Sequence, residues 1–438
     1  MTQQNKAIIS NRIYFKCEDI KVRNALMSEL TYVIEHNIGG GSKTSKTKRL
    51  EIIKNYKLLP NNIISIPQGR TDLIPQDYVI VDKRVFNEVP FPKALLELRD
   101  TQLPVYEEVT DTCFINALVG WGKTFTALHI AKKLEQKTLV LTHNTFLRDQ
   151  WATEVEKLFG MKPGIIGSGI FDIEDHFIVI ANIQTAIKMV PQIQKEFGTV
   201  IVDEAHHVPA ETFHEFLDSM YSRYRIALSG TMERKDKKHV LFKDFFGTKV
   251  IRPPQSNTLN PTIKILNTGL RLSSTSTWVE KINELLYDED YQNFVAAVAA
   301  SQILQDHSVL IIADRVEFLE NIKEKLGEDC ALVTGKTSFE ERQLIAEKVN
   351  SGEVLCIAGS RQIFSEGISI NRLSCVILPV PSSNLVNLEQ IIGRIMRTHK
   401  DKQDPVVIDL HFNSPAEKKQ QAIKLGFYMS KGWTINEI

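Results

Sequence analysis

The chain has 438 residues, enough for two or three domains that each bury a core of their own. Its composition, 43% hydrophobic and 24% charged, is that of an ordinary globular protein and excludes a disordered or fibrous chain. Lys and Arg together number 53, as do Asp and Glu. The net charge by itself therefore does not indicate a nucleic-acid partner, and any such binding must come from local patches.

Five scattered cysteines lack the CxxC spacing of a zinc site, which favours reduced, mostly buried thiols in a cytosolic compartment. The N-terminus, MTQQNKAIIS, lacks the charged start and apolar run of a signal peptide. No stretch reaches the roughly eighteen uninterrupted apolar residues of a membrane span. We therefore expect a cytoplasmic protein without a membrane partner.

Residues 1–88 predict a small α+β module that is separate from the rest of the chain. It contains the strand-like RIYFK, a helical run from about Arg23 to Glu35, and the loop GGGSKTSKTKR. GGGSKT imitates a phosphate-binding loop, but Ser42 stands where glycine should precede the lysine. We interpret the segment as a flexible basic loop in which Lys43, Lys46, Lys48 and Arg49 hold nucleic-acid backbone.

From Phe114 onward, short runs of Val, Ile and Leu alternate with helical patterns, which predicts parallel sheets covered by helices on both faces. The proline-containing stretch RPPQSNTLNP, residues 252–261, interrupts this series and is interpreted as a linker. A second series follows, opening with a long helical stretch from Thr277 to about Gln305. We predict two consecutive α/β domains, residues 89–254 and 255–438, after the N-terminal module.

A phosphate-binding loop is predicted where the strand FINAL meets the helix KTFTALHIAKKL. The intervening GWGKT comprises Gly120, Trp121, Gly122, Lys123 and Thr124, and Phe125 follows it. Backbone N–H groups at such a turn hold phosphate oxygens, the lysine reaches the β- and γ-phosphates, and the threonine hydroxyl binds Mg²⁺. The general motif has glycine at the position of Ala117, and an ordinary strand–helix turn is the alternative.

An acidic pair at the end of the apolar strand TVIV supplies the other half of this site. Asp203 is expected to complete the Mg²⁺ coordination, and Glu204 to position and deprotonate the attacking water. Either carboxylate alone could be a helix cap. Together with the phosphate loop, the pair predicts hydrolysis of a nucleoside triphosphate.

Several motifs in order, GKT, DEAH, SGT and QIIGRIMR, resemble the signatures of superfamily 2 helicases over roughly residues 95–410. The resemblance implies two tandem RecA-like domains that use ATP and Mg²⁺. It implies that Arg99 and Gln102 recognise adenine, that His206, Ser229 and Thr231 couple hydrolysis to the nucleic acid, and that Gly367 approaches the nucleotide.

The segment QIIGRIMR places Gln390, Arg394 and Arg397 at i, i+4 and i+7, so that one helix face would present an amide and two guanidinium groups. A solvated basic face is the alternative. An arginine delivered from the second domain would stabilise charge on the transferring phosphoryl group. We assign Arg397 as this finger and Arg394 as a γ-phosphate contact, and the two roles could be exchanged.

Polar residues that follow strands are candidates for gripping a nucleic-acid backbone, because small hydroxyl and amide groups bind phosphates without reading bases. Each residue alone could equally be a helix cap. The candidates are His143, Asn144, Gln184, Thr185, Thr334, Gly335 and Ser360.

The compact plan, with HVLFKDFFG and QIFSEGISI, resembles phage UvsW-type branch-migration helicases and, more distantly, the XPB-like group. That resemblance implies a motor that unwinds, migrates or reverses branched DNA such as forks and Holliday-type junctions, in the host cytoplasm if the chain is phage-encoded. An RNA helicase and a nucleotide-gated clamp without processive movement are the alternatives. The sequence leaves the oligomeric state open and is compatible with a monomer.

Overall fold

The structure is a computed structural model that describes residues 5–38, 47–117, 120–207, 210–230, 237–254, 259–361, 370–382 and 384–437. Contacts divide the chain into two compact units. One unit comprises Met1–Ala117 and Gly122–Pro254, and the other comprises Leu118–Trp121 and Gln255–Ile438. No helix among the described residues is long and apolar enough to cross a membrane.

The N-terminal module, residues 5–82, is a small sheet with one helix and a separate two-stranded ribbon. Its sheet has the order β5-β6-β2-β1-β7, and the ribbon pairs β3 with β4 in antiparallel register. Asp19 caps the helix by accepting the N–H groups of Lys21 and Val22. The elements are β1 (Lys6–Ile9), β2 (Arg12–Lys16), α1 (Ile20–Glu29), β3 (Thr31–Ile38), β4 (Thr47–Lys54), β5 (Lys57–Leu59), β6 (Ile63–Pro67) and β7 (Val79–Asp82).

The first α/β domain is built on an eight-stranded sheet of order β11-β10-β12-β9-β13-β14-β8-β15, in which β11 alone pairs antiparallel. The strands are β8 (Cys113–Asn116), β9 (Thr138–Thr142), β10 (Gly164–Gly167), β11 (Ile170–Asp172), β12 (Ile178–Asn182), β13 (Thr199–Val202), β14 (Tyr224–Ser229) and β15 (Val250–Ile251). The helices are α2 (Leu103–Glu108), α3 (Lys123–Leu134), α4 (Thr145–Phe159), α5 (Ile183–Ala186), α6 (Val190–Ile193), α7 (Ala210–Leu217) and α8 (Phe242–Phe246).

Strands β9, β12 and β13 are mostly apolar and almost entirely buried, as expected for a parallel sheet that helices cover on both faces. The carboxyl ends of the parallel strands share one edge, and this topology brings the turns after β8, β13 and β14 together. A buried core that includes Phe114, Leu141 and Val202 lies against the sheet.

The second α/β domain has a seven-stranded, all-parallel sheet of order β18-β19-β17-β20-β21-β16-β22. The strands are β16 (Thr262–Asn267), β17 (Val309–Ala313), β18 (Cys330–Val333), β19 (Cys356–Ser360), β20 (Cys375–Leu378), β21 (Val406–His411) and β22 (Thr434–Glu437). The helices are α9 (Trp278–Tyr287), α10 (Glu289–Ile303), α11 (Val316–Leu326), α12 (Phe339–Ser351), α13 (Leu385–Ile395) and α14 (Pro415–Ser430).

The predicted fold class, two tandem parallel-sheet domains after a small α+β module, is confirmed. The long helix predicted from Thr277 to about Gln305 is instead two helices. Asp288 separates them with an extended backbone, and its side chain accepts the N–H of Tyr291 to start α10. All five cysteines are free thiols and are buried.

The loop GGGSKT lies between the described strands β3 and β4 of an antiparallel ribbon. The chain is described again from Thr47 onward, where it forms β4, whereas a phosphate loop leads directly into a helix. Residues 39–46, which include Lys43 and Lys46, lie outside the described residues, as does the side chain of Lys48. Arg49 is exposed on β4.

Candidate nucleotide-binding site

The described part of the turn between β8 and α3, from Gly120 to Gly122, has the positive φ angles typical of a phosphate loop. Gly120 and Gly122 have φ angles of 88° and 102°, which disfavour residues with a Cβ atom. Gly122 is the N-cap of α3, so the first N–H groups of this helix lie next to the turn. Trp121 is buried, and Phe125 packs on His129 with ring centroids 4.9 Å apart.

Lys123, the first residue of α3, is held between the loop and the acidic pair. Its Nζ donates to the Ala117 carbonyl at 3.1 Å and lies 3.5 Å from Glu204 Oε1. The side chain is only 9% exposed. The phosphate loop and the acidic pair, which are separate motifs in the sequence, therefore form one cluster. In it, the buried ammonium of Lys123 faces the carboxylate of Glu204. Thr124 follows on the first turn of α3 and is half-buried.

Asp203 lies immediately after β13 and is 5% exposed. Its Oδ2 accepts the indole N–H of Trp151 at 2.7 Å, and its Oδ1 accepts the backbone N–H of Glu204 at 2.9 Å. Trp151 lies on α4 and is 1% exposed. Sequence reasoning missed this tryptophan, since no motif marks it and only the packing of α4 on the sheet brings it to the carboxylate.

Burial raises the pKa of Asp203 to about 6, and the negative charge of Glu204 adds to this rise. The Trp151 hydrogen bond and the charge of Lys123 act in the opposite direction and lower the pKa. The site thus contains a carboxylate that burial disfavours in its charged form, and any added positive charge would stabilise it.

Glu204 has a φ of 45°, in the left-handed region that a non-glycine residue adopts rarely. This conformation turns the chain away from β13 directly at the acidic pair. Glu204 Oε2 lies 3.3 Å from Nδ1 of His206, and the same ring nitrogen lies 2.7 Å from Ser229 Oγ. Ser229 is fully buried at the end of β14.

These contacts form a chain of polar groups from Glu204 through His206 to Ser229. The end of β14 also reaches the phosphate loop, because the Ala117 N–H donates to the Ser229 carbonyl at 3.0 Å. Thr231, the other coupling residue predicted from sequence, lies outside the described residues.

Arg99 and Gln102 lie against the phosphate loop. A Cβ atom on Gly122 would be 2.4 Å from Gln102 Nε2 and 2.7 Å from an Arg99 guanidinium nitrogen. Gln102 is 1% exposed, and its amide accepts the Arg99 N–H at 3.0 Å and donates to the Gly122 carbonyl at 3.4 Å. Adenine recognition by this pair stays a prediction.

In the second domain, Gln390 and Arg394 are buried on α13. The helix ends at Ile395, so Arg397 lies beyond it rather than on its face, and its guanidinium donates to Asn371 Oδ1 at 3.4 Å. Lys402, which no motif marks, donates its ammonium to the carbonyls of Ile395 and Arg397 at 2.5 and 2.6 Å. Gly367 lies outside the described residues.

In the first domain, the residues predicted to bind a nucleic-acid backbone follow β9 and β12. Asn144 caps α4 by accepting the Leu147 N–H at 2.8 Å, which is the alternative role considered for it. His143 contacts Asn144 at 3.1 Å, and exposed Gln184 donates to the His143 carbonyl at 3.3 Å. Thr185 is half-buried on α5.

In the second domain, Thr334 is buried after β18, with its Oγ1 accepting the Lys336 N–H at 3.3 Å. Gly335 faces open space, and Ser360 ends β19. The phosphate contacts of these residues stay predictions, as do those in the first domain.

A phosphate loop facing an acidic pair on a parallel sheet, followed in the chain by a second parallel sheet, is an arrangement typical of nucleoside-triphosphate-binding α/β proteins. Two family models match the chain: "Type III restriction enzyme, res subunit" over residues 93–234 and "Helicase conserved C-terminal domain" over residues 292–399.

Helicases are among the chain's relatives. The "Probable helicase D10" of Escherichia phage T5 is 40% identical over 437 residues, 98% of this chain and 95% of the relative. The "DNA 3'-5' translocase XPB2" of Sulfurisphaera tokodaii is 26% identical, covering 74% of this chain and 84% of the relative. The "ATP-dependent DNA helicase uvsW" of Enterobacteria phage T4 is 21% identical, covering 70% of this chain and 66% of the relative.

Among solved structures, Saccharomyces cerevisiae Dbp5 bound to RNA and ADP BeF3 superposes with a TM-score of 0.57 at 11% identity, covering 78% of this chain and 90% of that chain, a likeness of fold. The chain belongs to the superfamily 2 helicases, in the family of the phage T5 protein D10. Membership implies that it is an ATP-dependent nucleic-acid helicase, and the predicted UvsW-like and XPB-like relatives are confirmed.

Proposed function

We propose that this chain is a DNA motor of the DEAH-box type that uses ATP to unwind, branch-migrate or reverse forks and Holliday-type junctions. The observation that carries the proposal is the 3.5 Å approach of Lys123 Nζ to Glu204 Oε1 beside buried Asp203. This arrangement gives triphosphate binding and water activation a common location. Two of the relatives, XPB2 and uvsW, are named as a DNA translocase and a DNA helicase, which supports DNA as the track.

The first domain would bind the nucleotide through the loop at Gly120–Thr124. Lys123 would exchange its contacts with Ala117 and Glu204 for the β- and γ-phosphates. Glu204, released from the ammonium, would orient the attacking water and accept its proton. The Glu204–His206–Ser229 contacts would report the state of the γ-phosphate to the strand end of β14.

The residues present fit a Mg²⁺ ion. This metal prefers oxygen ligands, and Asp203 and Thr124 offer a carboxylate and a hydroxyl. The pKa of Asp203 is raised because burial disfavours its charged form, and a bound cation would stabilise that charged form. Bound Mg²⁺ would supply charge neutralisation at the phosphates.

The second domain would complete the site with arginines. Arg394 would contact the γ-phosphate and Arg397 would act as the finger, although these two roles could be exchanged. Gln390, Gly367, Arg99 and Gln102 are proposed nucleotide contacts on the family resemblance. ATP binding and hydrolysis would then alternately close and open the two domains, and this would move the chain along its track.

Branched DNA is proposed over two alternatives, an RNA helicase and a clamp that binds without processive movement. The decisive experiment is a panel of ATPase and unwinding assays on single-stranded DNA, duplex, fork, four-way junction and RNA. We expect the fork and the junction to stimulate turnover most. Stimulation by RNA but not by forked DNA would overturn the DNA assignment.

A variant distinguishes the motor from the clamp. Glu204→Gln should bind nucleotide and DNA yet fail to separate strands, because it removes the group that activates water. Strand displacement that persists in Glu204→Gln would refute the motor. Neutralising Lys43, Lys46, Lys48 and Arg49 should weaken junction binding and flatten its salt dependence while sparing the basal ATPase.

A further inference from the structure

Asp244 joins the N-terminal module to the first α/β domain. It lies on α8 and is fully buried. Its carboxylate accepts the Tyr32 hydroxyl at 2.8 Å, the Asn55 amide at 2.7 Å and the Arg70 guanidinium at 3.4 Å. Its backbone carbonyl accepts the Gly69 N–H at 2.9 Å. Tyr32 lies on β3, Asn55 follows β4 and Gly69 follows β6, so three segments of the module converge on one residue.

The contact is too close for any side chain at Gly69. A Cβ atom there would lie 2.6 Å from the Asp244 carbonyl oxygen and 2.7 Å from that of Lys243, and neither backbone atom can rotate away. The module therefore meets α8 backbone to backbone, with the carboxylate of Asp244 beside the contact. Such a fit leaves little room for sliding.

A second buried contact lies near the first. Arg12, which is 1% exposed, pairs with Asp218, and Asn11 donates its amide to the Asp218 carbonyl at 2.6 Å. Arg225, also fully buried, donates to the Asn11 carbonyl at 3.3 Å. Arg12 also donates to the Asn55 carbonyl at 3.0 Å, which links the two contacts. Two polar joints at separate points oppose rotation of the module about either one.

Helix α8 lies against the strand that leads to the nucleotide. Phe242 and Phe246 pack on Phe114 of β8, with ring centroids 5.2 and 6.3 Å away. Strand β8 runs on to Ala117, whose carbonyl accepts the ammonium of Lys123. A continuous packed path thus connects the module to the phosphate loop through α8.

We propose that Asp244 is a positioning residue that locks the N-terminal module onto the ATP-binding domain, so that DNA bound by the module acts directly on the phosphate loop. The module is then a rigid part of the motor rather than a tethered binding domain. The DNA part of this inference rests on the proposed function, whereas the lock itself does not.

The test compares Asp244→Asn with the wild-type protein. Asparagine keeps the shape of the side chain but offers one acceptor oxygen and an NH₂ donor to three donor groups, so at least one donor loses its partner. We expect basal ATPase to stay within about twofold of wild type, while base pairs unwound per ATP fall by roughly two- to thirtyfold, the range of coupling changes along packed networks. Unchanged unwinding per ATP in Asp244→Asn would overturn the proposal.

Asp72→Asn is the matched control. Asp72 pairs with the same guanidinium of Arg70 at 3.0 Å, but its side chain is 38% exposed and it belongs to the module itself. Its substitution removes a negative charge from Arg70 without touching α8, and it should leave unwinding per ATP unchanged. An equal loss in both variants would attribute the effect to Arg70 and refute the lock.

Two further measurements keep the test decisive. If Asp244→Asn fails to fold, Tyr32→Phe removes a single donor to Asp244, and it should lower unwinding per ATP in the same direction. Hydrogen exchange tests the lock without DNA, because Asp244→Asn should speed exchange in β2 and β6 while β17 and β20 keep wild-type rates. A wild-type protein that DNA does not stimulate would refute the proposed function, whereas wild-type exchange rates in β2 and β6 of the variant would refute the lock.

Discussion

Replacing Trp151 by Phe should weaken Mg²⁺ binding at the proposed site without removing Asp203 or Thr124, its proposed ligands. The indole N–H donates to Asp203 Oδ2 at 2.7 Å, and both residues are almost fully buried. A hydrogen bond to a charged group contributes about 1.5–3 kcal/mol, and one pKa unit corresponds to about 1.4 kcal/mol. Loss of the bond should therefore raise the pKa of Asp203 by about one to two units from its value of about 6.

The consequence is a change in the Mg²⁺ and pH dependence of hydrolysis. A proton and Mg²⁺ compete for Asp203, so at a subsaturating Mg²⁺ concentration activity is lost as the pH falls through the pKa of this group. In Trp151→Phe that loss should begin at a higher pH, and the Mg²⁺ concentration for half-maximal activity at pH 7 should rise about ten- to a hundredfold, as for other groups that orient metal ligands. Raising the pH to about 8.5 should restore much of the activity.

The assay is steady-state ATPase as a function of Mg²⁺ concentration at several pH values. Trp433→Phe is the matched control, because it makes the same change at a buried tryptophan of the second domain. It should leave both dependences unchanged. A Trp151→Phe protein that folds and shows the wild-type pH profile and Mg²⁺ requirement would refute the role assigned to this hydrogen bond.

Lys123→Ala should abolish phosphate release while circular dichroism shows an intact fold, because it removes the ammonium that would contact the phosphates and leaves the strands and helices of the domain in place; measurable turnover would contradict this. Arg397→Ala should lower kcat by on the order of 10³ with nucleotide binding largely kept, because an arginine finger stabilises the transition state. If only Arg394→Ala shows this loss, Arg394 is the finger and Arg397 the γ-phosphate contact. Unchanged turnover in both variants would refute the assignment. Burial and the charge of Arg397 lower the pKa of Lys402 to about 7. Because the unfolded chain keeps this proton up to about pH 10.4, the native state should gain stability as pH rises from about 7 to about 10. In chemical unfolding, Lys402→Met should not show this gain in the free energy of unfolding with pH. If the free energies of unfolding of wild type and variant differ by the same amount from pH 7 to pH 9, the effect of Lys402 is excluded.

The sequence predicted the fold class because parallel strands buried on both faces are predominantly apolar, as TLVLT and TVIV are apart from their terminal threonines. It also predicted the cluster of Lys123, Asp203 and Glu204, since the ends of parallel strands share one edge of a sheet. The Arg397 position was less well determined, because periodicity does not reveal that α13 ends at Ile395. The sequence also did not predict that the helical stretch is divided at Asp288, because a single cap residue leaves the apolar pattern almost unchanged.

By itself, then, the sequence determined which residue types follow each strand, and through them the chemistry of the nucleotide site. Only the tertiary structure brought Trp151 to Asp203 and Tyr32, Asn55 and Asp244 to one another. The physical reason is that motifs are local, whereas these contacts join residues 52 to 212 positions apart, where direction and packing decide which groups meet. Which donors reach a buried carboxylate depends on their positions in the folded protein. The order of residues along the chain does not show these positions.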